Sequence, residues 1–132
     1  MQKDGIYIEV GSGELIDKIT ILQIKAARIA EPEKLQHVNY ELDMLQKVCD
    51  EQLAPSSALT DLTHQLKSIN EVLWEIEDDI RACEAANDFG EKFVQLARQV
   101  YMTNDKRAAA KKQINLLTGA AVVEEKSYTE FE

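Results

Sequence analysis

The chain has 132 residues, of which 45% are hydrophobic and 30% are charged, an ordinary composition for one soluble domain with a single core. Its net charge of −9 argues against nucleic acid and anionic membrane surfaces as partners, because duplex binding requires a basic surface. No apolar run approaches the roughly 18 residues of a membrane span, and residues 1–10 lack the apolar core of a secretory signal.

The cysteines and histidines are isolated from one another in the sequence. Cys49 and Cys83 form neither a CxxC motif nor a dense framework, which indicates reduced thiols and a cytoplasmic protein. His37 and His64 lack a partner at metal-ligand spacing and are interpreted as ordinary structural histidines. The sequence therefore predicts no metal site and no cofactor.

The first half of the chain predicts one strand and two helices. The stretch "IYIEV" (6–10) alternates apolar and other residues, which is typical of a short strand. After "GSG", with Ser12 as the expected N-cap, a first helix is predicted over 14–30. Pro32 begins a second helix over 32–53, because proline is favoured in a first turn.

The second half predicts two longer helices and a tail. A third helix over 57–85 is capped by Ser56 or Ser57, and a fourth over 89–118 ends at Gly119. The acidic tail, 120–132, is expected to pack, with 121–126 extended as one arrangement, because it contains Val122, Val123, Tyr128 and Phe131. The predicted fold is mostly α, a four-helix-bundle-like single domain (1–132) with a short N-terminal strand and a packed C-terminal tail.

The first helix carries apolar side chains on two faces. One face has five such residues, and Ile21 and Ile24 point roughly the opposite way. Two apolar faces indicate a central helix or a subunit interface. We predict a homodimer formed through Ile21, Ile24 and the N-terminal strand. In the alternative, the tail or another helix of the same chain covers the second face.

The fourth helix has a polar interruption in its apolar face. Asn104, Arg107 and Lys111 lie in the middle of the face that continues from Val100 to Ile114. Antiparallel pairing with the third helix places Asn104 near Asn70. It places no acid opposite Arg107 or Lys111, and an unpaired buried charge is very costly.

Two interpretations of the interruption remain open. In the first, Arg107 and Lys111 belong to a buried ion-pair network, with acids from outside the third helix. In the second, they line an anion pocket, because guanidinium suits bidentate binding of carboxylate or phosphate. The candidate acids are Asp17, Glu14, Glu124, Glu125 and an acidic residue of another subunit. The candidate ligand-binding residues are Arg107, Lys111, Asn104, Asn70 and Asp17.

The spans "IEVGSGELIDKITILQIKAARI" (8–29) and "NEVLWEIEDDIRACE…FVQLARQVYMTNDKRAAAKKQINLLTGAAVVEEKSY" (70–128) resemble a family of small bacterial proteins known as a domain of unknown function. The resemblance covers most of the chain, including "GELIDKITIL" and "EEKSY". It implies a gene near surface-polysaccharide genes, which assigns no chemistry. The family offers no catalytic residues to transfer to this chain.

Two enzyme families are more weakly similar. The all-α nucleotide pyrophosphohydrolases hold Mg²⁺ with two acidic motifs, followed by asparagine and basic residues. "GELID" supplies one acidic motif, but the expected ExxE is absent, and the outward direction expected for Glu75 and Asp78 in "EIED" weakens the match. The matching residues are Glu75, Asp78, Asn104, Arg107, Glu14 and Asp17.

Helical chorismate mutases are similar to "LIDKITILQIKAAR", in which Asp17 and Arg28 are eleven residues apart. The first helix of those enzymes is long and unbroken, whereas Pro32 interrupts this one.

The sequence thus favours a non-catalytic helical binding or assembly module, cytoplasmic and dimeric, with a candidate anion pocket at Arg107 and Lys111. The expected partner is a small anionic ligand or a protein. The enzyme alternatives are a Mg²⁺-dependent nucleotide pyrophosphohydrolase and, after it, a chorismate-mutase-like enzyme.

Overall fold

The computed structural model describes residues 5–122 and 124–130, and its regular structure is entirely helical. In chain order the helices are α1 (Ser12–Arg28), α2 (Pro32–Gln52), α3 (Ser57–Ala85) and α4 (Glu91–Thr118). The predicted mostly α, single-domain fold is confirmed. Within the described ranges, every helix is too short or too polar to serve as a membrane span.

Local sequence signals explain where several helices begin and end. The hydroxyl of Ser56 accepts a hydrogen bond of 3.0 Å from the backbone N–H of Leu59 and so caps α3. Gly119 ends α4 with a left-handed φ of 70°, a conformation that favours glycine. At the start of α1 the cap is Gly11, and Ser12 is the first helical residue instead of the cap.

The predicted N-terminal strand at 6–10 is wrong. Residues 5–10 have no regular secondary structure, and Ile6, Tyr7 and Ile8 are 87%, 89% and 77% exposed. A strand exists only when another strand satisfies its backbone N–H and C=O groups. In the part of the chain that the structure describes, no backbone hydrogen bond joins this segment to a neighbour.

Helix α1 lies at the centre of the fold and packs against the other three helices. It runs antiparallel to α4, because Gly13 contacts Asn115 and Asp17 contacts Arg107. The main apolar cluster joins α1, α3 and α4 and consists of Ile16, Leu59, Leu66, Ala110 and Ile114. A second cluster of Ile76, Cys83 and Leu96 holds the α3–α4 hairpin together beyond the end of α1.

The central position of α1 accounts for its second apolar face. Ile24 is only 3% exposed within the single chain, and Ile21 is half-buried. The chain itself therefore covers Ile24, as the central-helix interpretation expects.

The tail runs back along α4 and is held by ion pairs. Glu124 contacts Lys111, and the Lys126 ammonium lies 3.9 Å from a carboxylate oxygen of Asp105. The two α4 partners are six residues apart, about 9 Å along the helix. Two tail residues cover about 7 Å only when the backbone is extended.

The apolar residues of the tail contribute little to this contact. Val122 and Tyr128 are 40% and 80% exposed. Val123 and Phe131 lie outside the described residues. In the described tail, the ion pairs with α4 come from Glu124, Glu125 and Lys126.

Candidate functional site

A buried carboxylate joins three helices. Asp17 of α1 is 1% exposed, and its Oδ1 accepts hydrogen bonds from Arg107 Nε of α4 and Asn70 Nδ2 of α3, both 2.9 Å long. Its Oδ2 accepts a second bond from Arg107, through Nη2. The guanidinium fork thus binds a carboxylate bidentately, but the carboxylate belongs to the chain itself.

Thr20 completes this network. It is 0% exposed, accepts a 2.9 Å hydrogen bond from Asn70 Nδ2 and donates a 2.8 Å bond to the backbone carbonyl of Asp17. No buried side-chain nitrogen or oxygen atom among the described residues lacks a hydrogen-bond partner. The network meets the requirement that a buried charge be paired and fully hydrogen-bonded.

The network changes the ionisation of its members. Burial acts to raise the pKa of Asp17, but the hydrogen bonds from Arg107 and Asn70 and the charges of Arg107 and Lys111 outweigh it, and the pKa lies below its ordinary value. The hydrogen bond to Asp17 raises the pKa of Arg107, against the opposing effect of burial. Asp17 and Arg107 therefore remain a charged pair throughout the physiological pH range.

Acid should destabilise the fold through Asp17. Because its pKa is lowered in the folded state, its contribution is present above the unfolded pKa of about 3.9 and is lost as the pH falls through that value towards the folded pKa. We expect the urea midpoint to fall between about pH 5 and pH 3. The Asp17→Asn variant should be less stable at pH 7, and its urea midpoint should fall less steeply as the pH is lowered. Equal slopes would contradict this assignment.

Lys111 forms a separate, more peripheral ion-pair cluster. It is 9% exposed, and its Nζ lies 2.7 Å from Glu14 Oε2 and 2.9 Å from Glu124 Oε2. Burial acts to lower the pKa of Lys111, but hydrogen bonds to the two carboxylates outweigh it and raise the pKa. The hydrogen bond from Lys111 in turn lowers the pKa of Glu124. Two carboxylates therefore neutralise Lys111.

Helices α1 and α4 approach each other closely at Gly13. The side-chain Oδ1 of Asn115, which is 5% exposed, accepts a 2.8 Å hydrogen bond from the backbone N–H of Gly13. A Cβ atom at Gly13 would lie 2.3 Å from the backbone carbonyl oxygen of Lys111. The absence of a side chain at Gly13 thus sets the spacing that lets Asp17 reach Arg107.

A groove of about 450 Å³ opens beside the buried carboxylate, between α1, α3 and α4. Its polar end consists of Asn70, Asn104 and Arg107, and its opposite end consists of Glu77, Asp78 and Arg81. Between the two ends lies an apolar floor made by Ile21, Ile24, Leu73, Trp74 and Val100. We call these residues together the central groove.

Charge is compensated at the polar end of the central groove, whereas the opposite end has two carboxylates, Glu77 and Asp78, and one cation, Arg81. Arg107 is paired with Asp17, and Arg81 Nε lies 3.1 Å from Glu77 Oε2. Two of the five N–H groups of Arg107 bind Asp17, and the other three make no hydrogen bond to a described residue. The polar end therefore offers hydrogen-bond donors without a strong net charge.

The structure brings together some of the predicted site residues and separates others. Asn70, Asn104 and Arg107 line the central groove, and Asp17 lies beneath them in contact with two of the three. Lys111 does not line the groove and is paired elsewhere. Arg107 and Lys111 thus belong to two different ion-pair clusters.

Sequence reasoning missed three contributing residues. Thr20 and Asn115 are short polar residues inside apolar stretches. Thr20 lies one helical turn after Asp17, and Asn115 lies one turn after Lys111, so this spacing could have identified them. The third is Trp74, which forms part of the groove floor, with the Arg28 guanidinium 5.9 Å from the centre of its ring.

The residues behind the enzyme resemblances do not assemble as those enzymes require. Glu75 pairs with Arg28 at the surface, whereas Asp78 lies at the far end of the groove. Among the described residues, no three His, Cys, Asp or Glu side chains form a group that could hold a metal ion. Asp17 and Arg28 bind different partners, Arg107 and Glu75. Nothing here favours either enzyme.

Comparison with curated proteins and with solved structures found no match. One family model, described as "Family of unknown function (DUF6165)", matches residues 6–131. This span includes all four helices and every residue of the central groove. The chain belongs to this family of unknown function.

Proposed function

We propose that the protein is a non-catalytic binding module of the cytoplasm, and that the central groove binds an elongated small ligand. The observation that carries the proposal is the polar end of the groove, where Asn104 and three N–H groups of Arg107 have no hydrogen-bond partner among the described residues. The thiols of Cys49 and Cys83, which are free, support the cytoplasmic assignment.

The groove chemistry favours a ligand with an acceptor head and an apolar body. The outward N–H groups of Arg107 and the amide of Asn104 can donate to a carboxylate or carbonyl oxygen. Leu73, Trp74 and Val100 offer apolar area for the remainder of the ligand. From Asn70 to Arg81 the groove follows twelve residues of α3, about 16 Å, which sets the length of the ligand.

The compensated charges favour a carboxylate over a phosphate dianion. Asp17 already neutralises Arg107, and Asp78 adds a negative charge at the other end of the groove. A doubly charged head would therefore lose hydration without a full counter-charge, whereas a single carboxylate would exchange water for charge-assisted hydrogen bonds. The anion pocket inferred from the sequence is thus proposed as a carboxylate site formed by Arg107 and Asn104, without Lys111. Asn70 lines it, but its amide N–H groups donate to Asp17 and Thr20.

The fluorescence of Trp74 provides a direct test, because it is the only tryptophan in the chain and lies in the groove floor. The probes are 4-phenylbutyrate, 4-phenylbutanol and 4-phenylbutylamine, which share one apolar body and differ in the head group. We expect saturable quenching by the carboxylate with a Kd on the order of 1 mM, about tenfold weaker binding of the alcohol, and none of the amine.

Asn104→Ala and Arg98→Ala form a matched pair of variants for this titration. Asn104 lines the groove, whereas Arg98 is an exposed residue of the same helix outside it. We expect Asn104→Ala to weaken carboxylate binding about tenfold with little change in Tm, and Arg98→Ala to bind as the wild type does. Equal binding of the carboxylate and the amine, or unchanged binding by Asn104→Ala, would overturn the proposal.

A further inference from the structure

The side chains of the N-terminal segment, residues 6–10, are exposed. Ile6, Tyr7 and Ile8 are more than three-quarters exposed, and Val10 is 39% exposed. The segment alternates aliphatic residues at 6, 8 and 10 with Tyr7 and Glu9. This alternation places all three aliphatic side chains on one face of an extended backbone.

The base of this segment is fixed against α4 and the tail. A Cβ atom at Gly11 would lie 2.5 Å from the carbonyl oxygen of Val122 and 2.7 Å from Asn115 Oδ1. The segment therefore leaves the domain at a defined place, next to the C-terminal end of α4. The residues at this end of α4 and just after it include three exposed apolar side chains, since Leu116, Leu117 and Val122 are 63%, 46% and 40% exposed.

We propose that residues 6–10 of two copies of this chain pair antiparallel about Ile8, and that the resulting two-stranded ribbon packs its aliphatic face on Leu116, Leu117 and Val122. Each segment thus pairs its exposed backbone with the same segment of a second copy.

The self-complementarity of the segment argues for a second copy. Antiparallel pairing about Ile8 sets Ile8 opposite the Ile8 of the partner subunit, and Ile6 opposite the partner's Val10. It also sets Tyr7 opposite the partner's Glu9, where the phenol can donate to the carboxylate, and the two Glu9 charges are kept apart. Each pair is apolar with apolar or donor with acceptor.

A ribbon alone would be marginally stable, because an isolated two-stranded hairpin is weak in water. The ribbon therefore needs an apolar surface below it. The exposed side chains at the end of α4 lie where Gly11 anchors the segment, and each copy brings its own set. Pairing satisfies the open backbone groups and covers this surface at the same time.

Light scattering on the full chain at tens of micromolar tests the association. We expect the wild type to be a dimer and Ile8→Asp to be a monomer with unchanged helical content by circular dichroism, because Ile8 is exposed within its own chain. Tyr40→Asp replaces another exposed hydrophobic residue, 74% exposed on α2, and should remain dimeric. A monomeric wild type, or a dimer that survives Ile8→Asp, overturns the proposal.

Mild oxidation of cysteine variants tests the register. In the proposed pairing, residue 8 lies opposite residue 8 of the second copy, so Ile8→Cys should give a disulfide-linked dimer in high yield. Residue 5 would lie about 20 Å from residue 5 of the second copy, so Gly5→Cys should not form this disulfide. The wild type controls for Cys49 and Cys83. Equal cross-linking of the two variants would overturn the proposed pairing.

Discussion

Substituting alanine for Arg107 should lower the free energy of unfolding by about 3–5 kcal/mol, because the variant leaves the buried Asp17 carboxylate without its counter-charge. Asp17 is 1% exposed and would retain only the hydrogen bond from Asn70. A buried charge that loses its partner costs far more than a lost surface ion pair. Urea denaturation at pH 7 measures the difference.

Two further variants separate the ion pair from other effects of truncation. Arg98→Ala removes an exposed arginine of the same helix and should change the free energy of unfolding by less than about 0.5 kcal/mol. The double variant Asp17→Ala with Arg107→Ala should be more stable than the sum of the two single variants implies, because neither charge is left alone. Additive losses would show that the two side chains do not depend on each other.

Gly13→Ala should destabilise the fold by about 1–3 kcal/mol or more, although alanine is normally the better helix former by about 1 kcal/mol. The new methyl group would lie 2.3 Å from the backbone oxygen of Lys111, and a backbone atom cannot move aside as a flexible side chain can. Helices α1 and α4 must separate, which stretches the Gly13–Asn115 hydrogen bond and the Asp17–Arg107 pair. Thermal unfolding measures the loss.

Gly5→Ala is the matched control, because no described residue beyond its chain neighbours lies within 4 Å of a Cβ atom at that position. We expect its Tm to equal that of the wild type. A Gly13→Ala variant as stable as the wild type would mean that α1 and α4 can separate without cost. The close approach would then not define the position of Asp17.

The amphipathic stripes were sufficient to predict the four helices and the mostly α fold. They also located the polar interruption at Asn104, Arg107 and Lys111, because a charge in the middle of an apolar face is incompatible with simple packing. Asp17 and Glu124 were among the candidate acids for the same reason: charge pairing requires an acid, and α3 has none opposite Arg107.

Assignment of the partners required the three-dimensional arrangement. The antiparallel packing of α1 on α4 pairs Asp17 with Arg107 and Glu14 with Lys111. The periodicity of a single helix does not show which residues of two helices will meet. The same arrangement places Lys111 outside the central groove. The strand pattern at 6–10 was predicted from alternation alone, but alternation cannot show whether a pairing edge exists within the chain.

A crystal structure of the protein purified from the cells that produce it tests whether the central groove binds a ligand. The central groove should contain a non-protein molecule with an acceptor atom within hydrogen-bonding distance of Arg107 and Asn104, and an apolar body over Trp74. A groove that contains only water, or is filled by a neighbouring side chain while Arg107 and Asn104 contact other protein groups, would contradict the account.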